Sequence, residues 1–423
     1  MPVRRRTPLV VALVLALGGA GGAVLGALGA PAAGFLPATD PGARDAAFAT
    51  LLDRRAKAVR DHDLDGYLAD VDRARPHLVA AETRTFQNLA RLPLTAFTYA
   101  LGKARYELKG HPELADRYHG RVALPAVEIH YRISDVDQAD AAAPYVPILA
   151  WTGGRWAVAG EATDTDVDAP VPPGAQPWQG DPIAVRATPR AVLVHSPEDT
   201  GRADAWAGRI ESALDAVLRF RPGGWSGRVF VVAVRDRKML EGYLGAEAGR
   251  VGAVAVAQFD RVPEWHPGEK AGYAGTVVVI NPDGLDDPGL SATLVHEFTH
   301  AAMGPVTTAA TPTWLMEGTA VYVEFGDDVL GATYAKKHLA GRDLSRLPPD
   351  DTFYNAVENY DLSLLACKLL VTRYGERGLV GVYEWFAQHD GPPDQGFREV
   401  LGISLADFTA LWRRQVQDTV AAG

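Results

Sequence analysis

Asp287-Pro288-Gly289-Leu290-Ser291-Ala292-Thr293-Leu294-Val295-His296-Glu297-Phe298-Thr299-His300-Ala301-Ala302-Met303-Gly304-Pro305, followed closely by Pro312-Thr313-Trp314-Leu315-Met316-Glu317-Gly318-Thr319-Ala320, is the passage on which the reading of this chain turns. The first stretch carries its own helix punctuation: Asp287 is a cap, Pro288 suits a first turn, and Gly304-Pro305 stops the helix. His296 and His300 stand at i and i+4, so both imidazoles leave one face of that helix at a separation one metal ion can bridge. Glu297 points slightly aside, toward a water on the metal and not the metal itself. The second stretch opens another helix and sets Glu317 near its start. A helix hairpin returns that carboxylate toward the imidazoles. Three protein ligands of the His/His/Glu type leave one position for water, which a hydrolytic zinc site needs and a structural one lacks.

Together the two motifs, His296-Glu297-Phe298-Thr299-His300 and Trp314-Leu315-Met316-Glu317-Gly318, resemble the peptidase MA-like gluzincins, zinc metallopeptidases with an HExxH…E ligand set. Tyr360-Asp361-Leu362-Ser363 before Arg373-Tyr374-Gly375, and Val400-Leu401-Gly402-Ile403-Ser404 before Trp412, look like the helical C-terminal half of that family, so the resemblance spans about residues 186–415. It implies zinc held by His296, His300 and Glu317, a general base and acid at Glu297, a transition-state donor at Tyr360, and a peptide or protein substrate. The chain departs from the pattern at Val321, where some gluzincins carry an acid that orients a histidine. Glu324, two turns after Glu317 on the same face, is the substitute to weigh against a solvated surface carboxylate. The strand Thr276–Ile280 reads as core, and the resemblance suggests that it offers an edge to an extended peptide. A zinc-containing but non-catalytic peptide- or envelope-binding module is the alternative function, against which Glu297 counts. A second alternative gives the main function to the N-terminal domain.

Outward from these motifs the pattern is α+β. From Asp45 to about Val71, Phe48, Leu51, Leu52, Val59, Leu64 and Leu68 recur at helical spacings, and a second helical stretch runs from about Val79 to Ala90. Alternation follows Pro93, with Phe97, Tyr99, Val127, Ile129, Tyr131 and Ile133, and a hairpin turned at Gly153-Gly154. This region, residues 45–162, resembles a nuclear-transport-factor-two-like (SnoaL-like) cone in its element order and in the phrase Arg60-Asp61-His62-Asp63-Leu64-Asp65-Gly66-Tyr67-Leu68. Residues 163–185, rich in Pro, Gly and Asp, read as a linker. The zinc peptidase domain then runs over 186–418. Its strands at Ala191–Val194, Arg228–Val234, Val254–Phe259 and Thr276–Ile280 form a mixed sheet around a helix at Ala203–Phe220, and a mainly helical half begins at Asp287.

Composition sets the bounds. With 423 residues, 47% hydrophobic and 22% charged, the chain can bury more than one core. Its net charge of −10 and the lack of a dense Lys/Arg run outside the first six positions argue against nucleic acid as a partner. The single cysteine, Cys367, precludes an intramolecular disulfide and any Cys-based zinc site. In its run of Leu and Ala it reads as a small buried hydrophobe before it reads as a nucleophile. Arg4-Arg5-Arg6 before an uncharged stretch from about Leu9 to Ala30 reads, over residues 1–34, as an export signal. Its length favours an uncleaved membrane anchor with the domains extracytoplasmic; Ala30-Pro31-Ala32 is a cleavage site if the chain is instead secreted.

Overall fold

The computed structural model describes residues 41–422 apart from 110, 164–165, 173–174, 250, 327–331 and 390. The fold is α+β, with two sheets and a helical C-terminal half. Helices α1 (Pro41–Arg60), α2 (Leu64–Ala69) and α3 (Pro76–Leu89) come first, then strand β1 (Leu94–Tyr106), helix α4 (Pro112–Arg117), and strands β2 (Val122–Ile133), β3 (Ala141–Tyr145), β4 (Pro147–Thr152) and β5 (Arg155–Glu161). These strands form an antiparallel sheet in the order β1-β2-β4-β5, with β3 also beside β2. Gly153 and Gly154, at φ 57° and 80°, turn β4 into β5, the left-handed pair that matches a two-residue hairpin to strand twist. Phe48 of α1 meets Trp156 of β5 edge-on at 5.0 Å, so the helices bury their apolar stripe against this sheet.

The second sheet contains β6 (Ala184–Ala187), β7 (Ala191–His195), β8 (Val229–Ala233), β9 (Ala253–Phe259) and β10 (Tyr273–Ile280), with α5 (Thr200–Phe220) after β7 and α6 (Lys238–Leu244) after β8. The order is β6-β7-β8-β10-β9; β7, β8 and β10 are parallel, and antiparallel β6 and β9 form the two edges. The interior strands are mostly apolar because both faces are covered. Val192, Val194, Phe230, Val232, Val254, Val256, Val277 and Val279 join the core of the first sheet. Their neighbours, Leu193, Val231, Ala253, Ala255, Val278 and Ile280 among them, pack under α5 and the helix that follows β10.

The segment read as a linker is the seam between the two sheets. Trp178 is 1% exposed and stands edge-on to Tyr131 at 4.9 Å. Asn88 of α3 donates its amide to the carbonyls of Trp178 and Asp181 at 3.3 and 2.9 Å and accepts from the Ile183 N–H at 3.1 Å. The rest of the chain is helical: α7 (Leu290–Met303), α8 (Thr313–Phe325), α9 (Ala332–Leu339), α10 (Glu358–Gln388, broken at Gly375), α11 (Pro393–Leu401) and α12 (Leu405–Ala421).

The expected membrane anchor is corrected here. Its sequence falls in residues 1–40, outside the described residues, and no helix among the described residues is long and apolar enough to cross a membrane. The helices long enough to do so, α1, α5 and α10, carry charged residues throughout. The transmembrane helix, the membrane as a partner and the cell-membrane placement are therefore withdrawn.

Candidate metal centre

Helix α7 starts slightly later than its punctuation suggests. Asp287 Oδ1 accepts the Gly289 N–H at 2.6 Å, closing a turn that delivers the chain into the helix at Leu290. At its far end Gly304 is required by crowding: a Cβ there would stand 2.7 Å from the Tyr273 ring of β10. Helix α8 returns alongside α7 and crosses α10 at Gly318, where a Cβ would lie 2.6 Å from the Ser363 carbonyl oxygen and 2.8 Å from Cys367 Sγ. Glu317 is the residue adjacent to that close approach.

The hairpin brings His296, His300 and Glu317 together, one donor atom from each lying within 4.8 Å of the others. Glu317 Oε2 is 3.2 Å from His296 Nε2 and 3.5 Å from His300 Nε2. Ligands at zinc bond lengths around a tetrahedron stand about 3.3 Å apart, so these two separations are of the right size for one ion. All three residues are 2% exposed or less. Among the described residues His300 Nε2 has nothing closer than the 3.5 Å approach of Glu317 Oε2 despite its burial, which fits a nitrogen able to take a metal. This group can bind a metal ion.

The surrounding contacts orient the donors. His296 Nδ1 is 3.0 Å from Glu324 Oε2, whose side chain is 6% exposed, so the acid missing at position 321 is supplied from position 324. A carboxylate only accepts, so that contact requires a proton on Nδ1, while Nε2 faces Glu317 Oε2. Burial opposes charge on His296, but its hydrogen bonds to Glu317 and Glu324 carry its pKa well up, while burial lowers that of His300. The two imidazoles hold the Glu317 carboxyl down against its own burial.

Glu297 is 0% exposed, and burial pushes its carboxyl up to about 8, with the charge of Glu317 adding to the rise. Its Oε2 accepts the Ala255 N–H of β9 at 2.7 Å, and its Oε1 has no partner among the described residues. That contact also corrects the expected edge strand. β10, which contains Thr276–Ile280, is flanked by β8 and β9, and the strand at the edge beside Glu297 is β9.

A tyrosine that sequence reasoning passed over reaches the cluster. Tyr354, on a 3-10 turn at Asp350–Asn355, donates its hydroxyl to Glu317 Oε1 at 3.0 Å. Tyr360 is its neighbour, with ring centroids 6.5 Å apart, and packs edge-on against Phe353 at 5.1 Å. Cys367 is fully buried, and burial pushes its thiol up to about 12, so it serves as packing under α8. A cavity of about 460 Å³ lies elsewhere, lined by the seam segment and α6, with Glu161, Asp236 and Met239 among its walls. The chain matches no protein-family profile, and no curated protein matches it.

Proposed function

We propose that this chain is a zinc-dependent peptidase of the gluzincin kind. The observation that carries the reading is the convergence of His296, His300 and Glu317 from two helices onto one sealed point, with Glu297 beside them holding one carboxylate oxygen unpaired among the described residues. Two imidazoles and one carboxylate are a donor set suited to zinc, and three ligands leave a place for a reactant. A bound zinc would supply Lewis-acid polarisation of a scissile carbonyl and acidify a water.

The chain's own residues do the rest. Glu324 fixes the orientation of His296. A dication held by the three ligands would favour the ionised form of Glu297, which, steadied through Oε2 by Ala255, takes the proton of the attacking water on Oε1 and returns it to the leaving amine. No covalent bond to the chain is required. The donor role implied for Tyr360 stays a proposal of its own, beside the Tyr354 hydroxyl that reaches Glu317.

Two measurements on the purified chain test the reading. Metal analysis is expected to find one zinc per chain, lost in His296→Ala and Glu317→Ala. Digestion of a peptide library is expected with the parent and not with Glu297→Gln, which keeps its zinc. Absence of stoichiometric zinc, or equal cleavage by Glu297→Gln, overturns it; bound zinc without cleavage by the parent leaves the binding-module alternative.

A further inference from the structure

Glu317 offers two oxygens, and they face different partners. Oε2 looks at both histidine nitrogens, at 3.2 and 3.5 Å, whereas Oε1 accepts the Tyr354 hydroxyl at 3.0 Å. A carboxylate left to itself can grip a metal with one oxygen or with both. In a site with only three protein ligands that choice decides whether a coordination place remains for a reactant.

We propose that Tyr354 is the positioning residue of this metal centre: by holding Oε1, it makes Glu317 a one-oxygen ligand and keeps one place at the metal open. The inference rests on the zinc-peptidase reading and extends it to a residue outside both sequence motifs.

The phenol is held where it is by several contacts. Asp350 Oδ1, at the head of the same turn, accepts the Thr313 N–H at 2.8 Å, tying the turn to the start of α8 one turn before Glu317. Asn359 Nδ2 donates to the Phe353 carbonyl at 2.7 Å. Phe353 is fully buried and braces the Tyr354 ring edge-on at 5.3 Å. The turn is thus fastened to α8 and α10, the two helices whose close approach sets Glu317. Tyr354 itself is 41% exposed, so a phenylalanine there keeps the ring packing while Glu317 Oε1 loses its partner.

Tyr354→Phe removes the one oxygen and keeps the ring. The probe is cobalt(II) in place of zinc, read by its visible spectrum, with zinc-edge X-ray absorption to count the light-atom neighbours. The parent is expected to give the intense bands of four-coordinate cobalt. In Tyr354→Phe those bands should weaken several-fold as Glu317 closes with both oxygens, the neighbour count should rise by one, and zinc affinity should change by roughly tenfold or more. Identical spectra, neighbour counts and affinities in a variant with the parent's melting temperature overturn the proposal. A parent that binds neither cobalt nor zinc overturns the metal reading instead, so the two failures are told apart. Should Tyr354→Phe melt early, the X-ray count on whatever protein remains folded decides, since a purely structural tyrosine leaves it unchanged.

Discussion

Glu324 is the residue that completes His296. Its carboxylate, 3.0 Å from Nδ1 and nearly buried, fixes which ring nitrogen carries the proton, and a histidine held in the wrong tautomer presents N–H to a metal. Glu324→Ala is therefore expected to weaken zinc binding by about 10–100-fold, measured by competition with a chromophoric chelator, with little change in folding. The side chain was visible in sequence as a carboxylate two turns beyond Glu317 on the same helical face. Its burial was not, because period 3.6 tells which face a residue occupies and leaves open what covers that face.

At the scale of the element, the approach of α8 to α10 matters most for the site. Gly318 allows it: a Cβ there would fall within 2.6 Å of the Ser363 carbonyl oxygen and 2.8 Å of Cys367 Sγ, both on α10. The carbonyl oxygen cannot yield without moving its helix. Gly318→Ala is expected to cost about 1–3 kcal/mol by overpacking, read as a lower urea midpoint. It should also reduce zinc affinity, because Glu317 is the adjacent residue and moves with the backbone. The glycine at the end of the Trp314–Gly318 motif is thus a packing requirement. The hairpin between β4 and β5 is a contrasting case, since two consecutive glycines between apolar alternations specify their turn without help from the rest of the fold.

For the whole molecule, the two sheets share one core. Deleting the residues before Asp181 would uncover Val192, Val194, Phe230, Val232, Val254, Val256, Val277 and Val279 on one face of the second sheet. Such a fragment is expected to aggregate on expression, and the full chain to show a single calorimetric transition for both sheets. Asp137 adds a pH dependence to this junction. It accepts the Ile133 N–H at 2.7 Å and crowds Gly275 of β10, and burial pushes its carboxyl up to about 7, Asp140 adding and Arg132 opposing. An unfolded aspartate titrates near about 3.9, so the folded chain holds the extra proton between these values. The stabilising contribution is fully present below about pH 4 and is lost as pH rises through about 7. Asp137→Asn keeps an acceptor for Ile133 and carries no charge. It should melt above the parent at pH 8 and level with it at pH 4, by thermal scans at the two values.

What the sequence determined by itself is local. Ligands four apart on one helix, the prolines and glycines that bound it, the apolar runs of β7, β8 and β10, and the α+β order all follow from neighbours along the chain, whose geometry the backbone fixes. What only the tertiary structure decided lies between elements distant in sequence. Tyr354 meets Glu317 from a turn with no period of its own, and β9 takes the sheet edge expected of Thr276–Ile280 because β10 enters between β8 and β9. The Pro-rich stretch around Trp178 becomes a seam because two half-covered sheets need a common surface there. Spacing records how strongly a residue is drawn inward; the partner it finds there is chosen by the packing of the whole chain.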